Sequence, residues 1–200
     1  EMEYLSFILN AKLVRRDSLS VLNLKTDYNF SKDRKRAINR GVKNELIIKE
    51  EGSFELFWNE ILIPNLKQKH NVKPVHTLEE IVYLKSKFPN NIRQFNVYKE
   101  DKIVAGTTIF ESENVAHSQY ISGNSNKNEL GSLDFLHNYL ISNVFKEKDF
   151  FDFGISNENQ GKNINEGLLS WKEGFGSRTI VQNFYEIETK NYLLLENILL

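Results

Sequence analysis

Polar side chains stand inside segments that otherwise look like buried strands. Asp152 lies between Phe151 and Phe153 in "DFFDFG", while His117 and Tyr120 lie in "AHSQYIS". A buried carboxylate needs hydrogen-bond donors or its pKa rises, and a raised carboxyl pKa suits a general base. An imidazole can take a proton from an amine near neutral pH. We therefore predict Asp152, His117 and Tyr120 as catalytic, with a structural anchor and a satisfied sheet histidine as the alternatives for Asp152 and His117.

The spacing within the histidine strand carries a further prediction. His117 and Tyr120 are three residues apart, and the side chains of a regular strand alternate between its two faces. These two side chains are therefore expected on opposite faces of the sheet. In the preceding strand, Gly106 indicates a bulge or a close approach of another part of the chain.

A polar loop and a helix follow the aspartate strand in "GISNENQGKNINEGLLSWKEGF". Gly154 would let the chain turn, and Ser156, Asn157 and Asn165 would offer donors and acceptors to the hydroxyl or amide groups of an acceptor substrate. Asparagine is also the usual residue of turns and helix caps, which is the structural alternative. Lys172 on the helix would hold a phosphate or carboxylate, or else lie on a solvated helix face.

A basic run lies near the start of the chain. Ser31 is expected to cap a short helix that Gly41 would end. The helix would carry phosphate-binding cations, with a solvated charged face as the alternative. The basic residues of this run are Lys32, Arg34, Lys35, Arg36, Arg40 and Lys43.

Composition restricts the classes of function. The chain has 200 residues, of which 40% are hydrophobic, and a net charge of -1, which excludes a generally basic nucleic-acid binder. Cysteine is absent, so thiol catalysis, disulfides and cysteine-based zinc sites are excluded. His70 and His76 show no metal-ligand spacing, and we predict no metal. The sequence has no apolar run of spanning length and no visible signal peptide, so we predict a cytoplasmic protein.

The elements that must position these residues follow from periodicity. Apolar residues of "SFELFWNEILI" recur at helical spacing, and Thr77 with Glu80 forms a capping box before the next helix. From Phe54 onward the predicted order is α α β β β α β α β. This order indicates an α/β (α+β) fold, with helices on both faces of a mixed sheet in which "DFFDFG" is central.

Several segments resemble a known family: "VYKEDKIVAGTTIF", "HSQYIS", "LGSLDFLHNYLI" and "FFDFGISNENQGKNINEGLLSWKEGFG". They are similar to the GNAT-like domain of Fem-type peptidoglycan aminoacyltransferases and of their relatives in bacterial cell-envelope biosynthesis. The resemblance implies a GNAT-like acyltransferase domain over residues 51–200. It also implies that residues 1–50 are a partial first lobe or a crossover segment with a basic helix.

The resemblance further implies an N-acyltransferase that moves an acyl group from acyl-CoA to an amine such as an amino sugar or amino acid. Ser122, Gly123, Gly131 and Ser132 would bind the cofactor, because they lie in the loop that holds the coenzyme A pyrophosphate in GNAT enzymes. The loop "SGNSNKNELGS" lacks the usual Gln/Arg-x-x-Gly-x-Gly/Ala spacing. Two alternatives therefore stay open: transfer from aminoacyl-tRNA, with the basic run as the tRNA contact, or a non-catalytic binding module.

Overall fold

The computed structural model of the chain describes residues 2–196, the side chain of His70 excepted. The strands are β1 (Lys12–Asn23), β2 (Ile47–Glu51), β3 (Ile92–Lys99), β4 (Lys102–Glu111), β5 (Val115–Gly123), β6 (Phe150–Ile155), β7 (Asn157–Glu158), β8 (Asn163–Ile164) and β9 (Arg178–Glu186). The α-helices are α1 (Met2–Ile8), α2 (Lys32–Lys43), α3 (Glu55–Phe57), α4 (Ile63–His70), α5 (Leu78–Lys87), α6 (Lys127–Leu130), α7 (Ser132–Tyr139) and α8 (Glu166–Glu173). A π-helical stretch, Trp58–Leu62, joins α3 to α4, another (Leu140–Val144) extends α7, and 3-10 turns cover Asn159–Gly161 and Thr189–Leu195.

Seven strands form one mixed sheet in the order β2-β3-β4-β5-β6-β1-β9. The neighbours are antiparallel except β5 and β6, which run parallel. The predicted mixed sheet is confirmed, and its aromatic strand β6 lies in the interior with Phe151 and Phe153 buried. The first 51 residues supply two of the strands, and one of them, β1, lies directly beside β6.

Helices cover both faces of the sheet, as the predicted fold class requires. On one face, Leu136 of α7 and Phe175, two residues after the end of α8, belong to the same buried cluster as Phe151. On the other face, the segment from α3 to α5 supplies Trp58 and Ile81 to a second cluster. Helix α2 lies outside α7 and packs on it. Within residues 2–196, none of the helices is long and apolar enough to cross a membrane.

Two predicted helix starts are confirmed, and one predicted helix end is wrong. The side chain of Ser31 caps α2, and Thr77 and Glu80 form the predicted capping box of α5. Gly41, however, lies inside α2, which continues beyond it. A Cβ at Gly41 would come within 2.5 Å of the Cβ of Phe135 on α7, so this glycine allows close packing of two helices rather than a helix end.

Candidate active site

The parallel strands β5 and β6 separate partway along their length. They pair only over Val115–His117 and Phe150–Asp152, although β5 continues to Gly123 and β6 to Ile155. Beyond His117 and Asp152 the two strands therefore enclose an opening in the middle of the sheet, which we call the gap.

His117 and Asp152 lie directly opposite each other where the gap begins. The two atoms His117 Nδ1 and Asp152 Oδ2 are 2.7 Å apart, and Asp152 Oδ1 accepts the backbone N–H of Gly154 at 2.7 Å. The other ring nitrogen of His117 lies 3.1 Å from Gln119 Oε1. Asp152 is 8% exposed, whereas about a third of the His117 side chain is accessible. The carboxylate thus both anchors the next turn and orients an accessible imidazole.

The expected opposite orientation of His117 and Tyr120 is wrong. His117 pairs with Phe110 and Tyr120 with Thr108, and these partners are two residues apart on β4 and so share a face. The extra residue is Gln119, which opposes no residue of β4, as in a β-bulge. The bulge shifts the alternation by one residue, so His117 and Tyr120 lie on the same face of the sheet.

Tyr120 is occupied with structural contacts on that face. Its hydroxyl accepts the backbone N–H of His76 at 3.0 Å and lies 2.7 Å from His76 Nδ1. Its ring packs edge-on against Trp58. Burial raises the pKa of the Tyr120 phenol. These contacts hold the start of α5 against the sheet. They also occupy the Tyr120 hydroxyl, which the sequence analysis predicted as catalytic.

Lys172 reaches from α8 into the gap. Its Nζ donates hydrogen bonds to the backbone carbonyls of Gly154 at 3.0 Å and Ile155 at 2.5 Å, and the residue is only 2% exposed. Burial lowers the pKa of the Lys172 ammonium to about 8, although the nearby Asp152 carboxylate opposes this shift. The alternative that Lys172 lies on a solvated helix face is therefore wrong. Contacts run continuously from Lys172 through Gly154 and Asp152 to His117.

A second histidine, not singled out from the sequence, lies beneath the gap. His137 on α7 is fully buried, its Nδ1–H donates to the carbonyl of Leu133 at 2.8 Å, and its Nε2 lies 3.5 Å from Ser118 Oγ. Its ring stacks on Phe153 and meets Trp171 edge-on. Burial lowers the pKa of His137 to about 4, so it is neutral at pH 7. Its position four residues after Leu133 on an apolar stripe was the only signal in the sequence.

A basic cavity of about 640 Å³ opens at the end of β5. Ser122 and Gly123 line it, as does Asn165, which also caps α8 by accepting the N–H of Leu168. The charged residues of its wall are Arg34 and Arg40 from α2, Lys69 from α4, Lys127 from α6, and Asp134 from α7. The carboxylate of Asp134 is bound by Arg34 at 2.5 Å, so the cavity presents mainly positive charge. This is the arrangement expected for an anionic ligand.

Two of the residues predicted to bind the cofactor do not reach this cavity. Gly131 and Ser132 are buried where α7 begins, and Ser132 is fully inaccessible. Gly131 has a positive φ of 69°, and a Cβ there would overlap the carbonyl oxygen of Ala37 on α2. Helix α2 therefore covers the amino-terminal end of α7, where a phosphate would otherwise meet free backbone N–H groups.

Two of the predicted substrate-binding residues have internal partners. Asn157 donates to the buried carboxylate of Asp17 at 2.9 Å and accepts the backbone N–H of Ser18 at 2.6 Å. The hydroxyl of Ser156 lies 3.2 Å from that of Ser20 and is buried. Both side chains hold the loop after β6 against β1, so the structural alternative accounts for their positions.

An apolar cavity lies on the His117 side of the sheet. It has a volume of about 510 Å³ and is lined by Leu84, Phe88, Asn91, Ile92, Phe110, Glu111, Ser112, Val115 and His117. His117 thus stands between the gap and a second cavity, on the opposite side from α8. Within residues 2–196, no three or more His, Asp or Glu side chains form a group that could hold a metal ion.

Comparison with solved structures identifies the fold. FemX matches 98% of this chain and 70% of its own chain at 8% identity, with a TM-score of 0.71. L-PGS from Bacillus licheniformis matches 96% and 67% at 14% identity, with a TM-score of 0.65. The C-terminal domain of a protein assigned as lysylphosphatidylglycerol synthetase from Agrobacterium fabrum matches 94% and 68% at 14% identity, with a TM-score of 0.62.

No family model matches the chain, and neither does any curated protein sequence. The identities to the solved structures are low, so the likeness concerns the fold. The chain shares the fold of FemX and of L-PGS, and the predicted fold class, with helices on both faces of a mixed sheet, is confirmed.

Proposed function

We propose that this chain is an acyltransferase that moves an acyl group from the ester or thioester of an anionic carrier to an amine. The observation that carries the proposal is the gap between β5 and β6, with a buried ammonium on one side and a carboxylate-oriented imidazole on the other. Lys172 supplies the ammonium, and His117 with Asp152 supplies the imidazole. A non-catalytic module has no need to keep a costly buried lysine beside such a pair.

The proposed chemistry assigns each group one task. When the amine attacks the donor carbonyl, negative charge develops on the carbonyl oxygen, and Lys172 stabilises it. Because the pKa of Lys172 is about 8, the group is protonated at pH 7 and can donate. His117 takes the proton of the attacking amine, held by Asp152. The C–N bond forms, the C–O or C–S bond breaks, and the proton passes to the departing oxygen or sulfur of the carrier.

The basic cavity supports an anionic carrier at the α8 side of the gap. Both acyl-CoA and aminoacyl-tRNA satisfy this requirement, since each contains a phosphorylated adenosine. The covered amino-terminal end of α7 favours aminoacyl-tRNA, because the usual backbone site for the coenzyme A pyrophosphate is closed. One neighbour is named as a synthetase of lysylphosphatidylglycerol, which supports an aminoacyl group as the cargo of this fold.

The acceptor is proposed to enter from the side of His117, next to the apolar cavity. An amine there would meet the imidazole first and the donor carbonyl in the gap second. In keeping with the Fem-type resemblance, the acceptor class is an amino sugar or amino acid destined for the cell envelope.

A donor screen tests this function. The protein is incubated with acetyl-CoA or alanyl-tRNA and with hydroxylamine as a small acceptor, and hydroxamate formation is measured. Lys172→Met should lower the enzymatic rate about 10²–10³-fold, as loss of an oxyanion donor does, while the exposed Lys146→Met should not change it. A rate equal to the uncatalysed reaction with both donors, or full activity in Lys172→Met, would contradict the proposal.

A further inference from the structure

We propose that Lys69, Lys127 and Arg40 form a side-chain phosphate site that takes the place of the covered helix end. The identity of the carrier rests on the proposed function, but the anion site is argued from the cavity alone. Its ligand is a phosphate ester or diphosphate of a nucleotide.

The first argument is the charge of the cavity wall. Of its charged residues, only Asp134 is negative, and that carboxylate is bound to Arg34. Within the described residues, none of Arg40, Lys69 and Lys127 makes an ion pair with a carboxylate. Three cations that converge on one cavity without a carboxylate partner repel each other, and a bound phosphate would remove this repulsion.

The second argument is the approach of two lysines from different helices. Lys69 is the penultimate residue of α4, Lys127 begins α6, and the two side chains are close enough for each to influence the other. Burial, and after it the Lys69 ammonium, lowers the pKa of Lys127 to about 8. The end of β5 allows this approach, because a Cβ at Gly123 would lie only 2.9 Å from the Cβ of Lys127.

The third argument is the double role of α2. The carbonyl of Ala37 closes the backbone site at Gly131, and the same helix brings Arg34 and Arg40 into the cavity wall. Helix α2 thus covers the backbone N–H groups at the start of α7 and supplies arginine side chains as donors to the cavity instead. The volume of about 640 Å³ lies in the range of small-molecule sites and would admit the adenosine end of a carrier.

Binding should depend on pH through Lys127. A phosphate stabilises its charged form, so binding raises the pKa of Lys127 and takes up a proton when the free protein is near pH 8.5. Affinity should therefore fall as the pH rises above 8. The charged groups that line the cavity together with Lys127 are Lys69 from α4, Arg34 and Arg40 from α2, and Asp134 from α7.

Calorimetry with inorganic pyrophosphate tests the site directly. Wild-type protein should bind pyrophosphate, and Lys69→Gln and Lys127→Gln should each weaken binding about 10- to 100-fold, the usual range for losing a charged hydrogen bond. Lys146→Gln, an exposed lysine on another part of the surface, is the matched control and should bind like wild type. No binding by wild type, or equal binding by the Lys69→Gln/Lys127→Gln double variant, would overturn the proposal.

Two further ligands identify the source of the phosphate. Coenzyme A and the trinucleotide cytidylyl-cytidylyl-adenosine are compared in the same titration, and the carrier should be the one whose binding the double variant loses. If neither pyrophosphate nor these ligands bind, while Lys172→Met still lowers the rate of transfer, only the phosphate site is wrong. If pyrophosphate binds but no donor reacts, the proposed transfer fails and the anion site stands.

Discussion

Replacing Lys172 by methionine should change how the stability of the protein depends on pH. Burial lowers the pKa of this lysine from its ordinary value of 10.5 to about 8. Between these two pH values the unfolded chain still holds the proton that the folded protein has released. Stability therefore rises with pH in this window in the wild type, and the contribution is absent in Lys172→Met.

The size of the effect follows from the two pKa values. Raising the pH from 7 to 9.5 should stabilise the wild type, relative to the variant, by about 2 kcal/mol. Lys172→Met also loses two hydrogen bonds to backbone carbonyls, and this lowers its stability by the same amount at every pH. The difference in pH dependence between variant and wild type is therefore unaffected. Other titrating groups in the fold are common to both proteins and cancel.

Urea unfolding at pH 7 and pH 9.5, followed by tryptophan fluorescence, gives the required free energies. Lys146→Met serves as the control, because this lysine is largely exposed. The stability of this variant should depend on pH as that of the wild type does. If Lys172→Met and wild type gained the same stability over this pH range, Lys172 would not be a buried, perturbed lysine. The assignment of its ammonium to the gap would then be wrong.

Three more substitutions test other parts of the structure. Between pH 7 and pH 5, His137→Gln should lose about 2 kcal/mol less free energy of unfolding than the wild type, because a histidine whose pKa falls from 6.5 to about 4 on folding destabilises the protein as the pH drops. An equal loss in both proteins, measured by urea unfolding at the two pH values, would refute this. Gly131→Ala should destabilise by more than about 1 kcal/mol, since φ is 69° and the new Cβ meets the Ala37 carbonyl; a neutral effect on thermal unfolding would mean that α2 does not cover α7. Asn157→Ala should lower the free energy of unfolding by about 1–3 kcal/mol, because it removes a donor to buried Asp17, and should leave the transfer rate per folded molecule unchanged. Unchanged stability with a lower transfer rate would instead support a role in acceptor binding.

Much of the fold could be predicted because its signals are local. Runs of apolar residues predicted strands, and capping residues such as Ser31 and Thr77 predicted where helices begin. The unbroken aromatic run gave an interior strand, and β6 is one. What local signals could not give was the neighbour of each strand: β1 lies beside β6 through contacts more than 100 residues apart.

The candidate site was predictable in part for a related reason. Asp152 and His117 were singled out because acidic and imidazole groups are costly in buried strands. The register of two parallel strands places these two residues opposite each other, and their catalytic role stays a prediction. The orientation of Tyr120 was missed because a single bulged residue, Gln119, reverses the alternation without any glycine or proline to mark it. Gly131 was misplaced because only the packing of α2 closes the end of α7, and a tertiary contact of that kind leaves no pattern in the loop.

The most direct test of the account is the position of a donor carbonyl in a crystal of the complex. A donor analogue whose ester or thioester is replaced by a ketone cannot transfer its acyl group but retains the carbonyl. The account predicts that this carbonyl oxygen lies in the gap, within hydrogen-bond distance (about 3 Å) of Lys172 Nζ, with the phosphates of the carrier in the basic cavity. A carbonyl bound elsewhere, with the gap between β5 and β6 empty, would contradict the proposal that acyl transfer takes place there.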